Sequence, residues 1–187
     1  MPDAVKTGKI LRGCRAMWLT FDDTNYTCPG KDSDDLSIEG NNDNEQVKNV
    51  QGETTFVNNG YTPSLSNDSY IARHEDAIYP HLQTIVDTLA TDDERTSATM
   101  IVATLTDEVK DSATKTLTGK GYKVPVKVVF DSDGGSTSGY GIAFSIYEDG
   151  ARTQGTVSVS NKVPTFTAAT EATVQTASEK PSGSLSD

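Results

Sequence analysis

The sequence predicts a mainly β protein: two packed antiparallel sheets, a sandwich or barrel, with one α-helix laid against them. Three observations carry that expectation. First, Tyr140, Ile142, Phe144 and Ile146 alternate with Gly141, Ala143, Ser145 and Tyr147, and Tyr122, Val124, Val126, Val128 and Phe130 alternate with Lys123, Pro125 and Lys127. A period of two is how a strand covers a core with one face. Second, a single segment, Ile78, Leu82, Ile85, Val86 and Leu89, follows the stripe of an amphipathic helix. Third, the many glycine, threonine, serine, asparagine and aspartate residues suit short strands joined by turns, and no strand-helix alternation suggests a parallel sheet.

Taken in order, Lys9 to Phe21 reads as a strand with Met17, Leu19 and Phe21 on one face and Trp18 on the other. Residues 22–34 form a polar loop broken by Pro29-Gly30. A short strand, Leu36-Ser37-Ile38, precedes GNNDNE at 40–45, whose composition predicts a turn, and a further strand covers Gln46 to Val57. Pro80 suits the first turn of the helix, with Glu75 and Asp76 near its positive end; Asp92-Asp93 should end it and begin a turn. Ala98 to Thr106 reads as a strand with Met100 and Val102 on one side and Ile101, Ala103 and Leu105 on the other.

Pro125 removes a backbone donor, which predicts an edge strand or irregular pairing at that point. Gly134 to Gly139 reads as a glycine- and serine-rich connection between strands. Asp149-Gly150 favours a type I′ turn, so Tyr140–Tyr147 and the strand holding Val157 and Val159 are expected to form a β-hairpin on one core. The 187 residues suit one domain, 1–167, and residues 168–187, with no sustained apolar face, read as a flexible C-terminal arm.

The formal charge is −11, unevenly spread. Residues 22–53 hold nine acids against Lys31 and Lys48. Such a chain lacks the clustered cations that gripping nucleic acid requires. No run of apolar residues is long enough to span a bilayer, and the first residues lack a signal peptide's apolar stretch, which predicts synthesis in the cytoplasm. Cys14 and Cys28 lack C-x-x-C spacing; two free thiols or one disulfide both fit.

Catalytic patterns do not emerge. His74 and His81 lie seven residues apart across a proline, which is not a metal-ligand spacing. Asp131-Ser132-Asp133-Gly134 opens like a calcium loop, but Ser136 and Ile142 stand where glycine and glutamate are needed. Neither a P-loop nor a G-x-S-x-G elbow occurs. No enzyme activity, cofactor or metal is therefore expected; a hydrolase built on Asp22 and Asp23 is the enzymatic alternative.

Several segments, in order, carry a likeness: Gly52-Glu53-Thr54-Thr55, Gly60-Tyr61-Thr62-Pro63, Asn67-Asp68-Ser69-Tyr70, Asp76-Ala77-Ile78-Tyr79-Pro80-His81-Leu82, Gly134 through Phe144, and Gly150-Ala151-Arg152-Thr153-Gln154-Gly155-Thr156-Val157. Over residues 30 to 167 the chain resembles the major tail tube proteins of long-tailed, non-contractile bacteriophages. It departs from them at Ala143, where relatives often have proline, and in the acidic 22–34 loop. The resemblance implies a virion structural subunit, assembled in the bacterial cytoplasm into stacked hexameric rings. Such rings form a tube that works with tape-measure and terminator proteins and passes double-stranded DNA without binding it or entering a membrane. On that reading Glu39, Asp43, Glu45 and Glu53 are candidates to line the lumen. Tyr140, Ile142, Phe144 and Tyr147 are candidates for contacts between subunits. The tube of a contractile or tail-like particle, or a virion surface adhesion sandwich, are the alternatives.

Overall fold

The computed structural model describes residues 14–31, 36–110, 115–137 and 139–169. Ten strands and two helices follow in order: β1 (Arg15–Thr20), β2 (Ile38–Glu39), β3 (Asn42–Lys48), β4 (Thr54–Tyr61), β5 (Ser64–Ile71), α1 (Tyr79–Thr88), α2 (Asp93–Thr96), β6 (Ser97–Lys110), β7 (Lys115–Ser136), β8 (Gly139–Glu148), β9 (Thr153–Ser160) and β10 (Val163–Ala168). The fold is mainly β and antiparallel, as expected, but its two sheets are very unequal. Eight strands form one sheet, ordered β1-β6-β7-β8-β5-β2 with β9 and β10 attached to β7; β3 and β4 form a separate two-stranded sheet. The expected arm at 168–187 lies outside the described residues except for Ala168 and Ala169.

The long strand β7 organises the large sheet. Along one edge it pairs with β6; along the other, residues 116–123 pair with β9 and residues 126–136 with β8. β8 and β9 therefore lie end to end along β7 and run in the same direction. This corrects the expected hairpin through Asp149-Gly150. The chain does not reverse there: Gly150 has φ 154°, and Asp149, absent from the positive-φ residues, cannot supply the first half of a type I′ turn. Instead the break between β8 and β9 faces Pro125, whose carbonyl accepts the Asp149 amide at 2.9 Å. Pro125 thus sits in a central strand, at the point where its missing donor has no ladder partner to disappoint. The true reversals flank it. Ser136 pairs with Gly139, so the presumed glycine-rich connection is mostly paired strand. Asn161 and Lys162, both at positive φ (51° and 68°), turn β9 into β10.

Two cores result, one on each face of β1 and β6. Met17, Leu19, Met100 and Val102 join Tyr122, Val124, Val126, Val128, Ile142, Phe144 and Ile146 beneath α1, which contributes Leu82 and Ile85, with Ile78 just before it. Trp18, Ile101 and Ala103 point the other way and are covered by Val157 and Val159. Val157 and Val159 thus belong to a different core from Ile142 and Phe144. For β9 to reach that face, β7 must coil closely over β6. Gly121 permits this: a Cβ there would lie 2.4 Å from the Val102 carbonyl oxygen.

The helix keeps its expected stripe with one exception. Leu89 is 68% exposed and closes α1 in the left-handed conformation at φ 46°, its amide shared between the Ile85 and Val86 carbonyls. Asp92 does not simply end a helix. Its carboxylate accepts the Arg95 amide and caps α2.

Candidate assembly surfaces

Asn42–Lys48, part of which the sequence reads as a turn, is a strand, and with Thr54–Tyr61 it makes a hairpin that covers nothing. Its turn is built locally. Asn49 Oδ1 accepts the amides of Gln51 and Glu53, and Gly52 supplies φ 83°. At its root, Asn41 Nδ2 donates to the Thr62 carbonyl and to Ser64 Oγ. Pairing of Glu45 with Val57 and of Val47 with Thr55 sets these four side chains on one face; Gln46 and Phe56 share the other. Neither face is buried. Val47 (46% exposed), Phe56 (60%) and Tyr61 (65%) all meet solvent. Asn59 is an extra residue opposite the Asp43–Asn44 step, a β-bulge. A lone two-stranded ribbon is marginal in water, and this one exposes apolar residues on both faces without a covering element of its own among the described residues.

The four acids expected at the lumen all lie on or beside this unit, and all are exposed. Glu39 is on β2, paired to Ser64 of β5. Asp43 faces the bulge, where its carboxylate accepts from Asn59 Nδ2 at 3.3 Å. Glu45 shares its face with Val47 and Val57, and Glu53 closes the turn through Asn49. Three of them thus lie on the ribbon or its turn and the fourth on β2.

The residues expected between subunits divide. Ile142 and Phe144 are 1% and 0% exposed, in the core beneath α1, so their side chains are withheld from any neighbour. The one-sided pattern that suggested an interface is the pattern of a strand facing its own helix. Tyr140 is half-buried and donates to Asp133, whereas Tyr147 is 47% exposed. Tyr147 belongs to an open groove of about 1070 Å³ at the root of the hairpin, with Ile38, Tyr61, Pro63, Tyr122 and Arg152.

Sequence reasoning missed this groove's organisation. Arg152 forks onto both oxygens of Glu148 at 2.7 Å and lies 4.4 Å above the Tyr122 ring. The pair raises the Arg152 pKa, and burial raises that of the Tyr122 phenol. The Glu148–Arg152 spacing spans the β8–β9 break, so only the correct topology reveals it.

Elsewhere the charges serve the fold. Asp22 accepts from the amides of Thr24 and Asn25 and from the side chains of Thr20 and Asn25, which holds its carboxyl well below the ordinary range. Lys123 pairs with Asp23, lowering the acid's pKa. The histidines are aromatic packing partners: His81 stacks on Phe21 at 4.7 Å, and His74 meets Tyr79 edge-on. Cys14 and Cys28 are free thiols. Among the described residues, no group of three or more His, Cys, Asp or Glu side chains is arranged to hold a metal, and no helix is long and apolar enough to cross a membrane. No protein-family model matches this chain, and no curated protein matches it.

Proposed function

We propose that this chain is the repeating subunit of the tail tube of a long-tailed, non-contractile bacteriophage. Its hexameric rings stack into the conduit for genome ejection, and it is an assembly protein, not an enzyme. The observation that supports the reading is the β3–β4 hairpin, exposed on both faces, with Val47 and Val57 meeting solvent on one and Phe56 on the other. A ribbon of that kind stabilises nothing within its own subunit, and an assembly supplies the missing cover. Head-to-tail contacts that do not self-terminate along an axis produce a filament. The motif order from Gly52 to Val157 supports the same conclusion. Tape-measure and terminator proteins would set the tube's length, and its place would be the virion tail after assembly in the bacterial cytoplasm.

Negative-stain electron microscopy of the purified protein tests this: rings or tubes are expected, and uniformly small particles would contradict it. Within such a tube, an acidic wall keeps phosphates from lodging along the path. Replacing Glu39, Asp43, Glu45 and Glu53 together with lysine should leave folding intact, because exposed charges contribute little to stability. Genome ejection at low salt should slow. Ejection at the normal rate would remove these four acids from the lumen.

A second reading draws on the groove holding the exposed Tyr61 and Tyr147. Aromatic walls of that kind suit sugar rings, as a virion adhesion module would need. Glycan-array binding by a dispersed monomer would favour it over the tube.

A further inference from the structure

Asn59-Gly60 is the only Asn-Gly pair in the 187 residues. It lies in the bulge of the exposed hairpin, and its surroundings give it a chemistry of its own. Asn59 has no partner residue in the β3–β4 register, so the ladder does not clamp it. The Gly60 amide donates to the side-chain oxygen of the exposed Asn58 at 2.8 Å. Gly60 adopts φ 126°, and nothing lies within 4 Å of where its Cβ would be, so the backbone there is uncrowded. The Asn59 side chain is exposed, held only on its nitrogen side by Asp43 at 3.3 Å.

We propose that Asn59 is a site of spontaneous deamidation in the folded protein. The Gly60 nitrogen loses its proton and attacks Cγ of Asn59. The N–Cγ bond forms, the Cγ–Nδ2 bond breaks, and ammonia leaves with the proton. Solvent water then opens the resulting succinimide at either carbonyl, giving aspartate or isoaspartate; no electrons are transferred. The product places a second carboxylate where the Asn59 amide now meets Asp43. An attractive contact becomes a like-charge one, and the isoaspartyl product adds a methylene to the strand at its irregular step. The hairpin should loosen at Asp43 and Asn59 while the two cores stay intact.

The test is peptide mapping by mass spectrometry after incubating the folded full chain at mildly alkaline pH. The peptide holding Asn59-Gly60 should exchange its amide for a carboxylate ahead of peptides holding Asn49 and the buried Asn67. Isoaspartyl-directed methyl transfer should label the same peptide. An acidic species should appear on isoelectric focusing and be lost in Asn59→Gln, whose longer side chain must close a larger ring. Amide exchange along the hairpin should quicken in the converted protein. Conversion only under denaturing conditions, earlier conversion of another asparagine, or an acidic species persisting in Asn59→Gln would each overturn the proposal. The incubation uses the dispersed chain, in which the hairpin is uncovered; conversion there bears on the site, and slower conversion in tubes bears on assembly.

Discussion

Shortening Leu82 to alanine offers a quantitative test of how α1 is held. Leu82 is 2% exposed and Ile85 1%, and with Ile78 they anchor the helix on the larger core. The helix has little of its own to sustain it. It spans ten residues, with no side-chain hydrogen bond at its N-cap, no acid in the first turn and no base in the last. Isolated helices of that length are marginal, so packing must supply the stability. Leu82→Ala removes about three buried carbons, or about 2.4 kcal/mol at ~0.8 kcal/mol each. The cavity left behind raises the loss to about 3–4 kcal/mol. For a chain of this size that lowers the melting temperature by about 6–16 °C, at roughly 2–4 °C per kcal/mol. Ile85→Ala should behave alike. Gln83→Ala, which loses hydrogen bonds to Asp87 and Tyr140 at the surface, should change stability by less than about 1 kcal/mol. Melting monitored by circular dichroism provides the assay. Unchanged melting of Leu82→Ala and Ile85→Ala would show that the helix is not packed on the sheet as described.

Other outcomes follow from single residues. Leu89→Gly should stabilise the protein by about 1 kcal/mol, because an exposed non-glycine residue in the left-handed region carries strain that glycine does not; a lower denaturation midpoint would refute that. Asp22, whose pKa is depressed in the fold, contributes stability above the ordinary carboxylate range near about pH 4 and loses it as pH falls toward its folded pKa. The stability gap between the native protein and Asp22→Asn should therefore be largest near neutrality and shrink in acid. A gap independent of pH would show that the carboxylate does not hold the turn.

Periodicity made much of the large sheet legible. The alternation of Tyr122–Phe130 and Tyr140–Ile146, the opposed faces of β6, and the Ile78–Val86 stripe all report local geometry, and each forms as read. What failed was pairing, which depends on residues distant in sequence. Asp149-Gly150 has the composition of a hairpin turn, yet its role is set by Pro125, on a neighbouring strand, where the missing amide makes room for a break. Residues 40–45 read as a turn because their glycine, asparagines and acids are turn formers. Here they sit in a ribbon exposed on both faces, with no core to impose alternating hydrophobicity. Ile142 and Phe144 were expected at an interface for the opposite reason: a one-sided strand looks the same whether a helix of its own chain or a neighbour covers it. The Glu148–Arg152–Tyr122 cluster required the end-to-end placement of β8 and β9 before it could be seen.

The central claim, that the β3–β4 hairpin is an assembly surface and not part of the subunit's own core, is most directly tested by sedimentation velocity of a hairpin variant. Val47, Phe56 and Val57 lie outside both cores. Changing all three to lysine should leave the melting temperature and circular dichroism of the subunit unchanged while abolishing the large species expected of the native chain. A variant that unfolds, or that still assembles into the same large species, would contradict the account.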